Sequence, residues 1–173
     1  ELLTGGTGAD TVVLSGAVTG ATINLGAGTD ALTLDAGTGV NTLTVSGIES
    51  ITGGGGNDDV TFTSGITGAN ISLGGGTGDK LTMGGASTLT VDGTVETVVG
   101  SGGNDTVTVS SAVTSGSYDL GAGSDKLILA DGGNTLGLNS SIETLIGGSG
   151  ADVITLSQSV INMQIDAGAG TDN

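Results

Sequence analysis

Gly5-Gly6-Thr7-Gly8-Ala9-Asp10-Thr11-Val12-Val13 returns three times along the chain. It recurs as Gly53-Gly54-Gly55-Gly56-Asn57-Asp58-Asp59-Val60-Thr61, as Gly100-Ser101-Gly102-Gly103-Asn104-Asp105-Thr106-Val107-Thr108, and as Gly147-Gly148-Ser149-Gly150-Ala151-Asp152-Val153-Ile154-Thr155. Each copy is a glycine-rich turn that delivers an aspartate and runs into an alternating strand whose aliphatic residue follows the aspartate by two. Four residues before each turn stands one of the four glutamates, Glu1, Glu49, Glu96 and Glu143, spaced 48, 47 and 47 residues apart. A rare residue recurring at a fixed interval is strong evidence for a repeat architecture. The copies are 1–48, 49–95, 96–142 and a partial 143–173, read as one continuous solenoid segment. Neither end carries an atypical capping repeat, so the segment is expected to lie inside a longer array.

A second, shorter glycine turn follows in each copy: Gly26-Ala27-Gly28-Thr29-Asp30, Gly74-Gly75-Gly76-Thr77-Gly78-Asp79, Gly121-Ala122-Gly123-Ser124-Asp125 and Gly168-Ala169-Gly170-Thr171-Asp172. The two aspartates of a copy are 20 or 21 residues apart. Short strands with period-two alternation lie between the turns, with Val12 and Leu14, Leu32 and Leu34, Val60 and Phe62, and Val107 and Val109 sharing faces. Thr22–Leu25 is a further strand, and so is Thr42–Val45, which runs on through Ile48 and Ile51. The reading is an all-β, parallel β-solenoid of about four strands and about two coils per copy, one coil of roughly 20 residues and one of roughly 27. Seven coils at the ~4.8 Å strand spacing would span roughly 30–35 Å.

Composition agrees with a narrow, regular interior. The chain of 173 residues holds 37 glycines, about three times the usual share, and has no Pro, Cys, His or Trp. Its only aromatic residues are Tyr118 and Phe62, expected to fill slightly wider coils. Val, Ile and Leu must therefore build the core in stacked layers. Eighteen acidic residues face two lysines, Lys80 and Lys126, for a net charge of −16. That balance argues against nucleic acid as a partner, because phosphate binding needs clustered Lys and Arg. No apolar run approaches the length of a membrane span, so direct membrane insertion is not expected. Without His, Cys or Arg the usual bases, nucleophiles and anion clamps are missing, and an enzyme is not expected.

The glycine turn has a chemical reading. Glycine permits tight turns whose carbonyls point inward, and the aspartate adds a hard carboxylate. A hard cation such as Ca²⁺ takes six to eight oxygens. One turn cannot supply them, whereas two turns stacked on adjacent coils can. The alternative is an Asx-type turn in which the carboxylate simply bonds backbone N–H groups. The glutamates are read as bonding a backbone amide at a bend or facing solvent, and the lysines as local charge balance.

The first-turn pattern, G-G-x-G-x-D-x-U-x with U a large aliphatic residue, resembles the RTX family, the glycine- and aspartate-rich nonapeptide repeats of proteins exported by type I secretion. Ser101 replaces its second glycine in the third copy, and Leu25, Leu73, Leu120 or Ala167 replaces the first glycine in the second turns. Gly78 inserts a residue before Asp79. The resemblance implies a parallel β-roll with Ca²⁺ between turns on successive coils. It places cation sites between Asp10 and Asp30, Asp58 and Asp79, Asp105 and Asp125, and Asp152 and Asp172. Carbonyls of flanking glycines would join them: Gly5, Gly8, Gly26 and Gly28; Gly53 and Gly56; Gly100, Gly103, Gly121 and Gly123; and Gly147, Gly150, Gly168 and Gly170. Further bridges from Asp30 to Asp58, Asp79 to Asp105 and Asp125 to Asp152 would require those turns to share an edge.

The alternation of such turns with Thr- and Ser-rich strands is closest to the S-layer and adhesin branch of the family. The function expected on that ground is an extracellular, calcium-stabilised structural repeat of a bacterial cell-surface or matrix protein. It would self-associate with neighbouring copies or flanking repeats and reach cell-surface polysaccharide through other domains. The alternatives are the stalk of a type I secreted adhesin, or the calcium-binding module of a secreted enzyme or toxin. Outward Thr pairs such as Thr42/Thr44, Thr88/Thr90 and Thr106/Thr108 invite an ice-binding reading. Gly137 and Lys126-Leu127-Ile128 break those rows, and Thr suits outward strand positions in any case.

Overall fold

The computed structural model describes all of residues 1–173. It contains eighteen strands, β1–β18 in chain order, and no helix. Odd-numbered strands form one parallel sheet: β1 Leu2–Gly6, β3 Thr19–Gly26, β5 Asn41–Ser46, β7 Asp58–Phe62, β9 Lys80–Thr82, β11 Thr97–Ser101, β13 Gly116–Gly121, β15 Thr135–Leu138 and β17 Val153–Leu156. Even-numbered strands form the other: β2 Thr11–Val13, β4 Ala31–Thr33, β6 Ser50–Gly54, β8 Thr67–Gly74, β10 Thr88–Val91, β12 Thr106–Val109, β14 Lys126–Ile128, β16 Thr144–Ile146 and β18 Gln164–Asp166. The chain alternates between the two sheets at every turn, so it winds as a parallel β-solenoid. Nine strands per sheet make eight steps, about 38 Å at the usual strand spacing.

Period-two alternation decides which side chains enter the core. The register stacks Leu43, Val60, Leu81, Val98, Tyr118 and Leu138 in one inward row of the first sheet. Ala69, Leu89, Val107, Leu127 and Leu145 form a facing row in the second. These and their neighbours make a single core of 32 buried apolar residues. Each fully buried Val, Leu or Ile contributes about 1.5–3 kcal/mol relative to exposure. Tyr118 fits because its hydroxyl donates to the Val95 carbonyl at 3.1 Å, which satisfies its polar end. Outward positions carry Thr, Ser, Asn and the exposed ion pair of Lys80 with Asp59 at 3.7 Å, set by cross-strand register.

The copy is longer in coils than the sequence suggested. Thr42 to Ile51 is not one strand. The chain turns at Gly47, which has φ +59°, and Ser50 begins β6 on the other sheet. Each complete copy therefore holds five strands, and one 47-residue period spans two and a half coils of 17–23 residues. No coil of 27 residues exists. The extra half coil has a geometric result. The equivalent strands β1, β6, β11 and β16 alternate between the two sheets, and equivalent turns alternate between the two edges.

Candidate cation-binding edges

Every edge turn places one inward-pointing rung beside the rung of the next coil. On one edge the backbone N–H of Asp10 donates to Asp30 Oδ1 at 2.7 Å, and that of Asp30 donates to Glu49 Oε2 at 2.9 Å. A new ladder then starts on the same edge. The Ile66 N–H donates to Ser87 Oγ at 3.2 Å, Ser87 to Asp105 Oδ1 at 2.7 Å, Asp105 to Asp125 Oδ1 at 2.7 Å, and Asp125 to Glu143 Oε2 at 2.7 Å. The opposite edge repeats the order from Val18 through Asn41, Asp58 and Asp79 to Glu96, at 3.0, 3.3, 2.7 and 2.8 Å. It repeats again from Val113 through Asn134 and Asp152 to Asp172, at 3.1, 2.8 and 2.9 Å. The unit is an apolar residue, Asn or Ser, a first-turn aspartate, a second-turn aspartate, and a glutamate.

These bonds explain several sequence features together. Turns on adjacent coils must approach closely enough for each backbone N–H to meet the next carboxylate. A methyl group at Gly5, Gly53, Gly100 or Gly147 would collide with the carbonyl of Leu25, Leu73, Leu120 or Ala167 one coil on. Gly28, Gly123 and Gly170 press in the same way on Gly8, Gly103 and Gly150. Gly56 lies against Gly39, and Gly103 against Ala86. At Gly121, φ is +93° and a side chain would strike the Ser101 carbonyl, so both conformation and space require glycine. Gly26 and Gly168 share that conformation and press on Gly6 and Gly148. The inserted Gly78 is absorbed within its turn, because Asp79 keeps both ladder bonds.

The aspartates form two chemical classes. In the first turns, Oδ1 of Asp58, Asp105 and Asp152 accepts the N–H of the preceding rung. Oδ2 of Asp10, Asp58, Asp105 and Asp152 accepts an N–H four residues back in its own turn, from Gly6, Gly54, Ser101 and Gly148 at 2.9–3.4 Å. In the second turns, Oδ1 of Asp30, Asp79 and Asp125 accepts the rung bond, but Oδ2 is buried and has no hydrogen-bond partner. These residues are 0–1% exposed. Burial pushes the Asp79 carboxyl up to about 6, against the Asp58 N–H bond and with help from the charges of Glu96, Asp58 and Asp92. Burial likewise raises Asp125, with Asp105, Glu143 and Asp119 adding to it. A buried carboxylate left one oxygen short of partners favours a proton or a cation.

The four aspartate pairs expected to share sites do stand on adjacent coils of one edge. The other three pairings do not: Asp30 and Asp58, Asp79 and Asp105, and Asp125 and Asp152 lie on opposite edges, separated by the extra half coil. No point in the chain gathers three or more Asp or Glu side chains in a metal-binding group. A cation would thus depend on one or two carboxylates and on carbonyls. The donor set fits such an ion at the second-turn aspartates, where an anionic oxygen is free. It fits less well at the first-turn aspartates, whose oxygens already accept N–H groups.

Two rungs were not singled out in the sequence. Asn41, Ser87 and Asn134 recur at 46 and 47 residues, and Val18, Ile66 and Val113 at 48 and 47. That periodicity is the signal that identifies them, and it is the same signal that marked the glutamates. No family description, curated protein or solved structure matches the chain.

Proposed function

We propose that the chain is a structural repeat segment that works outside the cell as part of a bacterial surface or matrix assembly, with Ca²⁺ as the ion that stiffens its edges. The reading rests on one observation above others: the buried, unpartnered Oδ2 atoms of Asp30, Asp79 and Asp125, repeated at the same rung of the three complete copies. A hard divalent ion would neutralise carboxylates that stand a few ångströms from like charges. The chain's own residues do the rest. The glycines bring the turns close, the N–H ladder orients the carboxylates, and the paired strands bury the core. The net charge of −16 supports an environment rich in divalent ions. Lattice contacts between neighbouring solenoids would separate a surface-layer role from a stalk role.

Circular dichroism in calcium and after chelation tests the proposal. Metal-coupled folding predicts a loss of β signal on chelation that calcium restores. An unchanged spectrum would remove calcium from the account.

A further inference from the structure

We infer that each copy binds its divalent cation at the second-turn aspartate and the glutamate one rung beyond it, at Asp30/Glu49, Asp79/Glu96 and Asp125/Glu143, and not at the aspartate of the longer glycine motif. This rests on the calcium reading above and says which residues carry it. Asp79 is fully buried, with Oδ1 holding the Asp58 N–H at 2.7 Å and Oδ2 holding nothing. Glu96 holds the Asp79 N–H through Oε2 at 2.8 Å, which leaves its second oxygen over. Asp58 differs. Its Oδ1 takes both the Asn41 backbone N–H and the Asn41 side-chain amide, at 3.3 and 2.7 Å, and its Oδ2 takes the Gly54 N–H at 3.3 Å. The protein therefore satisfies the first aspartate by itself and leaves the second one short.

The arrangement recurs. Asp30 and Asp125 have the same unpartnered oxygen, and Glu49 and Glu143 accept their N–H groups at 2.9 and 2.7 Å. The glutamate is the rung that follows each second-turn aspartate, and its carboxylate reaches back one coil to that aspartate's N–H. Its recurrence in all three complete ladder ends ties it to the orphaned oxygen. Carboxylates on adjacent rungs are hard donors suited to Ca²⁺ or a lanthanide in its place.

Tyr118 offers a local probe. It is the chain's only tyrosine, and its hydroxyl bonds the carbonyl of Val95, next to Glu96. Terbium bound at Asp79/Glu96 should give tyrosine-sensitised luminescence that calcium displaces. Asp79→Asn and Glu96→Gln should each abolish that signal and lower the calcium stoichiometry by one, whereas Asp58→Asn should keep both. Glu96→Gln retains an oxygen for the Asp79 N–H, so it stands as the folded variant if Asp79→Asn fails to fold. If Asp58→Asn abolishes the signal while the folded Glu96→Gln keeps it, the assignment is overturned and calcium binding survives at the first turn. If folded wild-type protein takes up neither terbium nor calcium, the calcium reading falls with it.

Discussion

The backbone N–H of Asp79 donates to Glu96 Oε2 at 2.8 Å, one coil further along the same edge. The glutamate is thereby a structural terminus of the ladder. Glu96→Ala removes the acceptor and leaves a buried N–H unpaired, which costs about 1–3 kcal/mol. Glu96→Gln keeps an oxygen in place for that N–H and should cost less. Chemical denaturation of the two variants checks the difference.

Acid should stabilise the metal-free chain before it harms it. The Asp79 carboxyl lies at about 6 in the folded state against an ordinary 3.8, so between those values the folded state binds more protons than the unfolded one. Stability then falls as pH rises through that window. Asp125 is shifted in the same direction. The β signal that survives in chelator should be larger near pH 5 than at pH 7.5, and Asp79→Asn should narrow the difference.

Close stacking of turns sets a steric test. Gly121→Ala puts a methyl group into the Ser101 carbonyl at a residue with φ +93°. It should destabilise the fold by more than the ~0.4–1 kcal/mol that a Gly→Ala replacement gains at a compatible position. Gly102→Ala is the control, since a methyl group there meets nothing within 4 Å. Comparing the two melting temperatures separates collision from chain stiffness.

Core rows give a plain magnitude. Leu81 is fully buried between Val60 and Val98 in the inward row, so Leu81→Ala should cost about 2–5 kcal/mol. Thr61→Ala, on the outward face of β7, should change stability by less than about 0.5 kcal/mol. Equilibrium unfolding reads both.

Much of this architecture was legible in the residues. Alternation of Val, Leu and Ile between glycine turns placed the inward rows, and the fixed recurrence of the aspartates put Asp58 beside Asp79 and Asp105 beside Asp125. The half coil was not legible. Leu43, Val45, Ile48 and Ile51 alternate almost without a break, and the corner between them carries a single glycine, Gly47. The turn that ends at Asn41 lacks the aspartate that marks the others, so it passed for part of a longer coil. The division of labour between aspartates was also hidden. Asp58 and Asp79 look alike in sequence, and only the donors around them show that one is satisfied and the other is not.

Two and a half coils per period relate successive copies by a half-turn about the long axis combined with an advance along it. A partner that recognises a feature of one copy will find it again on the same side only two copies later, five coils or about 24 Å away, with the intervening instance on the far side. The solenoid is thus a two-faced ruler. The features that recur in every copy are presented in alternation on its two opposite sides.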